Sequence, residues 1–114
     1  MIIEKGDKVH LVYRALYENS TRRHFLGEVL EVESAVCRLE GFTFIYDNKS
    51  AEYQRKPERR TTIVDLGESG YIVNIIDSRV KLENVTYRYL RDAGLMVCDG
   101  AGFTLDINEF SFRS

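Results

Sequence analysis

The sequence has only two cysteines, Cys37 and Cys98, and neither belongs to a CxxC pair or stands beside histidines at metal-ligand spacing. That excludes a zinc site of the usual kind. Each lies among apolar residues, so both are expected as buried, reduced thiols, and a disulfide between them is disfavoured in a reducing compartment. The one glycine-rich run, Asp99-Gly100-Ala101-Gly102, is not followed by Gly-Lys-Ser/Thr or by carboxylates at calcium-loop spacing. A hairpin turn is expected there, rather than a phosphate or metal loop. His10 and His24 have no recognisable catalytic partners, and no Ser, Cys or Glu motif marks a nucleophile. No enzyme, no catalytic residue, no cofactor and no metal is therefore expected. Long apolar runs are also missing, the opening Met1-Ile2-Ile3-Glu4-Lys5-Gly6 included. Neither a signal peptide nor a membrane-spanning helix is expected, and the expected location is cytoplasmic, away from membranes. No charge sign dominates: the formal net charge is −2, so any basic surface must be local.

What is present is a globular composition, with 44% hydrophobic and 30% charged residues in 114. That is one domain with one core and no internal linker. The chain is organised around residues 25–39, which read as two strands about a turn at Glu33-Ser34-Ala35. Apolar side chains fall on both parities of the first strand, and Gly27 lets it bend. Before it, residues 8–18 read as a strand, joined to Phe25 by a polar turn through Asn19-Ser20-Thr21-Arg22-Arg23. After it, bulky groups shift from Cys37 and Leu39 to Phe42, Phe44 and Tyr46, which predicts a bulge at Gly41. Residues 47–58 hold the only proline and read as a surface loop. Strands follow over 59–66 and 71–76, joined by the tight turn Gly67-Glu68-Ser69-Gly70. The expected core is Val9, Leu11, Val29, Leu30, Leu39, Ile63, Val64, Val73 and Ile75.

The remainder, 78–114, reads as an extension. Leu82, Val85, Tyr89 and Leu90 share one helical face, with Ser78 to cap and Gly94 to stop a helix, while Thr86-Tyr87-Arg88-Tyr89 argues for strand. Helix is preferred on length and on the glycine stop. The final segments 95–98 and 103–107 read as a hairpin. The expected fold is thus mainly β: a small, strongly bent five-stranded barrel over 1–77 with a C-terminal extension of a short helix plus hairpin, a generic all-β roll being the alternative.

Five meandering strands with a bent second strand resemble the Sm-like family of SH3-like barrels, over about residues 8–77. Phe25, Gly27, Val29, Val32 and then Glu33 are similar to the family's first box, and Ser69 and Gly70, followed by Val73 and Ile76, to its second. The resemblance implies a curved open barrel that assembles into rings around RNA. It also implies that the family's site positions fall at Glu33, Cys37, Ser69 and Gly70, of which Cys37 stands where the family has a base-contacting asparagine and Ser69 where it has a basic residue. The fold-bearing positions match and the RNA-reading ones do not, which favours shared architecture over shared function.

The best nucleic-acid candidates lie elsewhere. Arg55, Lys56, Arg59 and Arg60, with Lys49 nearby and Tyr46 and Tyr53 interleaved, combine phosphate-pairing cations with rings on which unpaired bases stack. Arg22, Arg23 and His24 should converge on them, because the first and third turns of a meander share one end of the sheet. Asp47, Glu52 and Glu58 dilute the run, and a solvated polar loop is the alternative. Two functions are carried forward. One is a non-catalytic module for single-stranded RNA. The other is a structural or adaptor module that binds protein through its sheet edges; separately, unguarded edges lead to the expectation of a homo-oligomer, a ring, rather than a monomer.

Overall fold

The computed structural model describes residues 2–13 and 22–107. It divides the chain into two compact units, Met1–Ser78 and Arg79–Ser114. The first holds six antiparallel strands: β1 (Lys8–Val12), β2 (Arg23–Glu33), β3 (Val36–Asp47), β4 (Glu52–Arg55), β5 (Arg60–Asp65) and β6 (Ile72–Ile76). β2 and β3 form a long hairpin about the Ser34-Ala35 turn, where Ser34 has φ 54°. β1 pairs with β2 on one side and with β6 on the other. The outer side of β3 is divided: β5 takes Val36 to Gly41 and β4 takes Phe44 to Asp47.

The sheet curls. Val64 on β5 and Val73 on β6 come from opposite margins, yet they line one tightly filled space with Val9, Leu11, Val29, Cys37 and Leu39. In a flat sheet four strand spacings would hold those margins roughly 19 Å apart. The inner face of the roll is set by alternation, since Val9, Leu11, Phe25 and Val29 share parity across the β1–β2 ladder. Across β2 and β3, Gly27 faces Gly41. A Cβ on Gly41 would overlap the Leu26 carbonyl oxygen and come within 2.6 Å of the Gly27 Cα. The two backbones approach this closely only because neither residue carries a side chain.

Several expectations change. The sheet is not closed into a barrel, because among the described residues β5 and β6 do not pair, and the strands number nine rather than five. The bulge lies at Leu30, where the register slips between Val29 and Glu31, and Gly41 stays in register. β3 keeps strict alternation throughout. Cys37 and Leu39 fill the inner face of its first half, while Phe42 and Phe44 are buried on the outer face of its second. A change of buried face thus imitates a change of phase. The expected surface loop at 47–58 contains β4, folded back by a turn in which the Asp47 carboxylate accepts from the Lys49 amide (3.0 Å) and the Ser50 hydroxyl (3.1 Å). Ile63 and Ile75, expected in the core, are 61% and 54% exposed. The first-strand residues beyond Tyr13 and most of the turn before Arg22 fall outside the described residues.

In the second unit, β7 (Thr86–Leu90), β8 (Gly94–Cys98) and β9 (Thr104–Asp106) form a three-stranded meander. The helix expected over 78–93 is not there. One 3-10 turn at Leu82–Asn84 precedes β7, and no side chain caps it. Tyr87 and Tyr89 instead pair across the ladder with Val97 and Leu95, and cross-strand pairs of aromatic with aliphatic residues outweigh a marginal helical stripe. Gly94, at φ 76°, closes the β7–β8 turn instead of stopping a helix. The β8–β9 hairpin is as expected: the Asp99 carboxylate accepts from the Ala101 amide (2.8 Å) and the Phe103 amide (3.0 Å).

Candidate nucleic-acid interface

Strand parity decides which basic residues meet. On the outer face of the six-stranded sheet, even-numbered residues of β1, β2 and β3 line up as His10–Leu26–Phe42 and Val12–His24–Phe44. β4 adds Tyr53 opposite Tyr46 and Arg55 opposite Phe44. A file of rings results: His10 meets His24 edge-on at 5.0 Å, His24 stacks on Tyr53 at 4.8 Å, and Tyr53 meets Tyr46 edge-on at 5.3 Å. Three guanidinium groups lie over this face. Arg22 is 6.0 Å from the Tyr46 ring centre, and Arg55 and Arg59 are 4.8 and 4.9 Å from that of Phe42. All three arginines are exposed, so a cation–π contact aligns each group without taking it out of solvent. Arg59 also reaches the Glu40 carboxylate at 3.4 Å.

The file runs from the interior outwards. His10 is fully buried and His24 nearly so. The Asn74 side-chain amide lies 3.4 Å from His10 Nδ1 and donates to it in the neutral tautomer that carries its proton on Nε2. Burial, with the neighbouring His24, lowers the His10 pKa to about 3, and burial, with Arg22 beside it, lowers that of His24 to about 4. Both rings are therefore neutral packing elements at ordinary pH, and His24 packs directly on Tyr53.

The remaining predicted basic residues take the inner parity. Arg23 and Arg60 lie close enough to Tyr13 to favour its phenolate, although burial and the Tyr71 phenol raise its pKa overall. Tyr13 stacks on Tyr71 at 4.7 Å with the rings 10° from parallel. Lys56 shares the inner parity, its amide donating to the Thr43 carbonyl at 2.9 Å. Of the seven predicted residues, Arg22, Tyr53, Arg55 and Arg59 thus form one face, while Arg23, Lys56 and Arg60 belong to the other. Phe42, Tyr13 and Tyr71 were not singled out. Phe42 was legible as a partner, since it shares the parity of Tyr46.

The positions carried over from the Sm-like resemblance gather at the opposite end. Leu66 donates its amide to the Ala35 carbonyl at 2.8 Å, which puts the β5–β6 turn with Ser69 and Gly70 beside the β2–β3 turn with Glu33. That end is acidic. Glu31, Glu33, Asp65 and Glu68 are all exposed there, and Glu31 is paired with Arg38. Cys37 is 1% exposed in the core, where burial pushes its thiol pKa up, so it presents nothing to a base. A groove of about 180 Å³ between Glu31, Glu33, Val36, Arg38 and Ile63 lies below the size of ordinary small-molecule sites, about 300–1,000 Å³. Among the described residues no three His, Cys, Asp or Glu side chains are placed to hold a metal, and no helix is long and apolar enough to cross a membrane. Compared with protein-family models, curated proteins and solved structures, the chain matches none.

Proposed function

We propose that this protein is a non-catalytic binder of single-stranded RNA, built on an open roll of the Sm-like or SH3-like kind, and that it binds at the outer face of β2, β3 and β4. One observation carries the reading: Arg22, Arg55 and Arg59 stand over Tyr46 and Phe42 on a single face. Phosphates pair with such groups, and bases stack on the tyrosines at the margin. The curled sheet in which the last of six strands pairs with the first supports the architectural part. The acidic end at Glu33 and Glu68 argues against RNA at the positions the family would use. A titration of a fluorescent oligouridylate against salt tests the proposal. Replacing Arg22, Arg55 and Arg59 by alanine should lower the slope of log affinity against log salt by about 2, at about 0.7 for each single-strand phosphate contact. No binding by the unaltered protein at low salt retires it.

A second reading rests on the margins of the same sheet. Among the described residues β5 and β6 each pair on one side only, and Ile63, Ile72 and Ile75 are exposed on them. β6 carries no charged residue to guard its edge. On this reading the sheet edges bind protein, a second copy of the chain in a ring being the simplest case. Light scattering decides it: a mass of one subunit at micromolar concentration removes the ring.

A further inference from the structure

Two arginine dipeptides straddle the six-stranded sheet. Successive side chains along an extended strand point to opposite faces. Arg22-Arg23 and Arg59-Arg60 therefore each send one guanidinium to the outer face and one to the inner. The outer contacts and the inner electrostatics agree with the parity. Arg22 lies over Tyr46 and Arg59 over Phe42, both outer rings. Arg23 and Arg60 act on Tyr13, which packs against the inner core and stacks on Tyr71. Each face so has a pair of arginines beside aromatic rings, at the same end of the sheet. Between them runs the margin where β3 changes partner from β5 to β4, crossed by Lys56-Pro57-Glu58. The far end, by contrast, carries Glu31, Glu33, Asp65 and Glu68, which repel a polyanion.

We propose that the bound strand does not stay on one face: it turns around the β4–β5 margin, its phosphates held by Arg22 and Arg59 outside and by Arg23 and Arg60 inside. This rests on the reading of the outer face as an RNA surface and fixes the substrate class more narrowly. A ligand that turns around the margin of one sheet must be flexible. Duplexes bend over about 150 base pairs and cannot make the turn. The Tyr13–Tyr71 pair gives the inner limb a stacking platform of its own.

The test uses the full chain, an oligouridylate of about twelve nucleotides, within the site range of single-strand binders, and a duplex of the same length. Arg23→Ala with Arg60→Ala should lower the salt slope by about 1.4, two contacts at about 0.7 each. Arg23→Lys with Arg60→Lys keeps both charges and should keep most of the slope, and the duplex should bind at least about tenfold more weakly. An unchanged slope in the alanine pair, while the Arg22, Arg55 and Arg59 variant still lowers it, overturns the wrap and leaves the outer-face reading standing. Equal affinity for the duplex, or a lysine pair as impaired as the alanine pair, overturns it as well. Absence of binding by the unaltered protein overturns both.

Discussion

The two halves of the β2–β3 hairpin are built on opposite plans, and Gly27 facing Gly41 divides them. Towards the Ser34-Ala35 turn the inner face holds the apolar groups, with Val29, Cys37, Leu39 and Val64 buried, while the outer face carries Glu31, Arg38 and exposed Ile63. Towards the other end both faces bury side chains: Phe25 inside, and Leu26, Phe42, Phe44 and the two histidines outside. One long strand pair thus serves a one-sided sheet and a two-sided sheet in succession. The two-sided half is also where the arginines gather. Rings packed edge-on and stacked against one another form an aromatic floor, over whose Tyr46 and Phe42 the guanidinium groups lie.

The comparison depends first on the glycine pair. Gly41→Val puts a branched side chain into the Leu26 carbonyl and the Gly27 Cα, neither of which can move without parting β2 from β3. The cost should exceed the roughly 1–3 kcal/mol of ordinary overpacking, a large share of the roughly 5–15 kcal/mol that holds a domain together. Circular dichroism and urea unfolding should show a protein that is unfolded or close to it. A variant with an unchanged urea midpoint would mean that the close approach does not divide the hairpin.

Next come the two halves separately. Phe44→Ala removes an outer-face ring that is 2% exposed, and should cost about 3–5 kcal/mol; Leu39→Ala removes an inner-face side chain, also 2% exposed, and should cost about 2–5 kcal/mol. Urea midpoints measure both. A loss below about 1 kcal/mol for Phe44→Ala would reduce the second half to a one-sided sheet like the first.

Legibility in the sequence followed the same division. Where one face is buried, the span of a strand was readable but not the depth of each side chain: β5, β6 and the hairpin of β2 and β3 were placed within a residue or two, while Ile63 and Ile75, read as core, are exposed. Where both faces are buried, alternation misleads. The move of bulky groups at Phe42 looked like a bulge because the inner face was assumed to continue, and nothing in the alternation showed that His10, between Val9 and Leu11, is fully buried. β4 was hidden for another reason: Glu52, Gln54 and Arg55 are exposed, leaving Tyr53 as its only apolar signal. In the extension, Leu82, Val85, Tyr89 and Leu90 fit helical spacing, and only the Thr86-Tyr87-Arg88-Tyr89 run showed the strand that cross-strand pairing selects. Of the candidate interface, residue types and their shared end were legible. The division of the arginines between faces was not, because it needs the register of β2, β3 and β5.

Acid should sharpen the contrast, since both titratable rings lie in the two-sided half. His10 and His24 have folded pKa values of about 3 and 4, below the ordinary 6.5. Between those values the unfolded chain binds more protons than the folded one. The stability they contribute is therefore complete above about pH 6.5 and is lost as pH falls towards 4 and 3. From pH 7 to pH 5 the loss should be about 2 kcal/mol for each ring, at 1.36 kcal/mol per pKa unit. Urea unfolding of the parent at the two pH values gives the total, and His10→Gln with His24→Gln should flatten most of it. An equal loss in that variant would assign the acid sensitivity to other groups.

The smallest effect lies in the one-sided half, on the marginal strand β5. Val64 and Ile63 are neighbours of similar chemistry on opposite faces, 7% and 61% exposed. Val64 faces Cys37 across the ladder and fills the inner core, so Val64→Ala should cost about 1.5–3 kcal/mol, the value of burying such a side chain. Ile63 faces Arg38 and leaves most of its surface in water. Ile63→Thr keeps a β-branched side chain on the strand and gives up little buried area, so the urea midpoint should move by no more than about 0.5 kcal/mol in equivalent stability. The same variant separates folding from association. If β5 is the edge that takes a second chain, Ile63→Thr should lower the mass seen by light scattering while leaving unfolding of the separated chain unchanged. A loss of stability comparable to that of Val64→Ala, at a concentration where only single chains are present, would show that the outer face of the first half is covered and would erase the difference between the two halves.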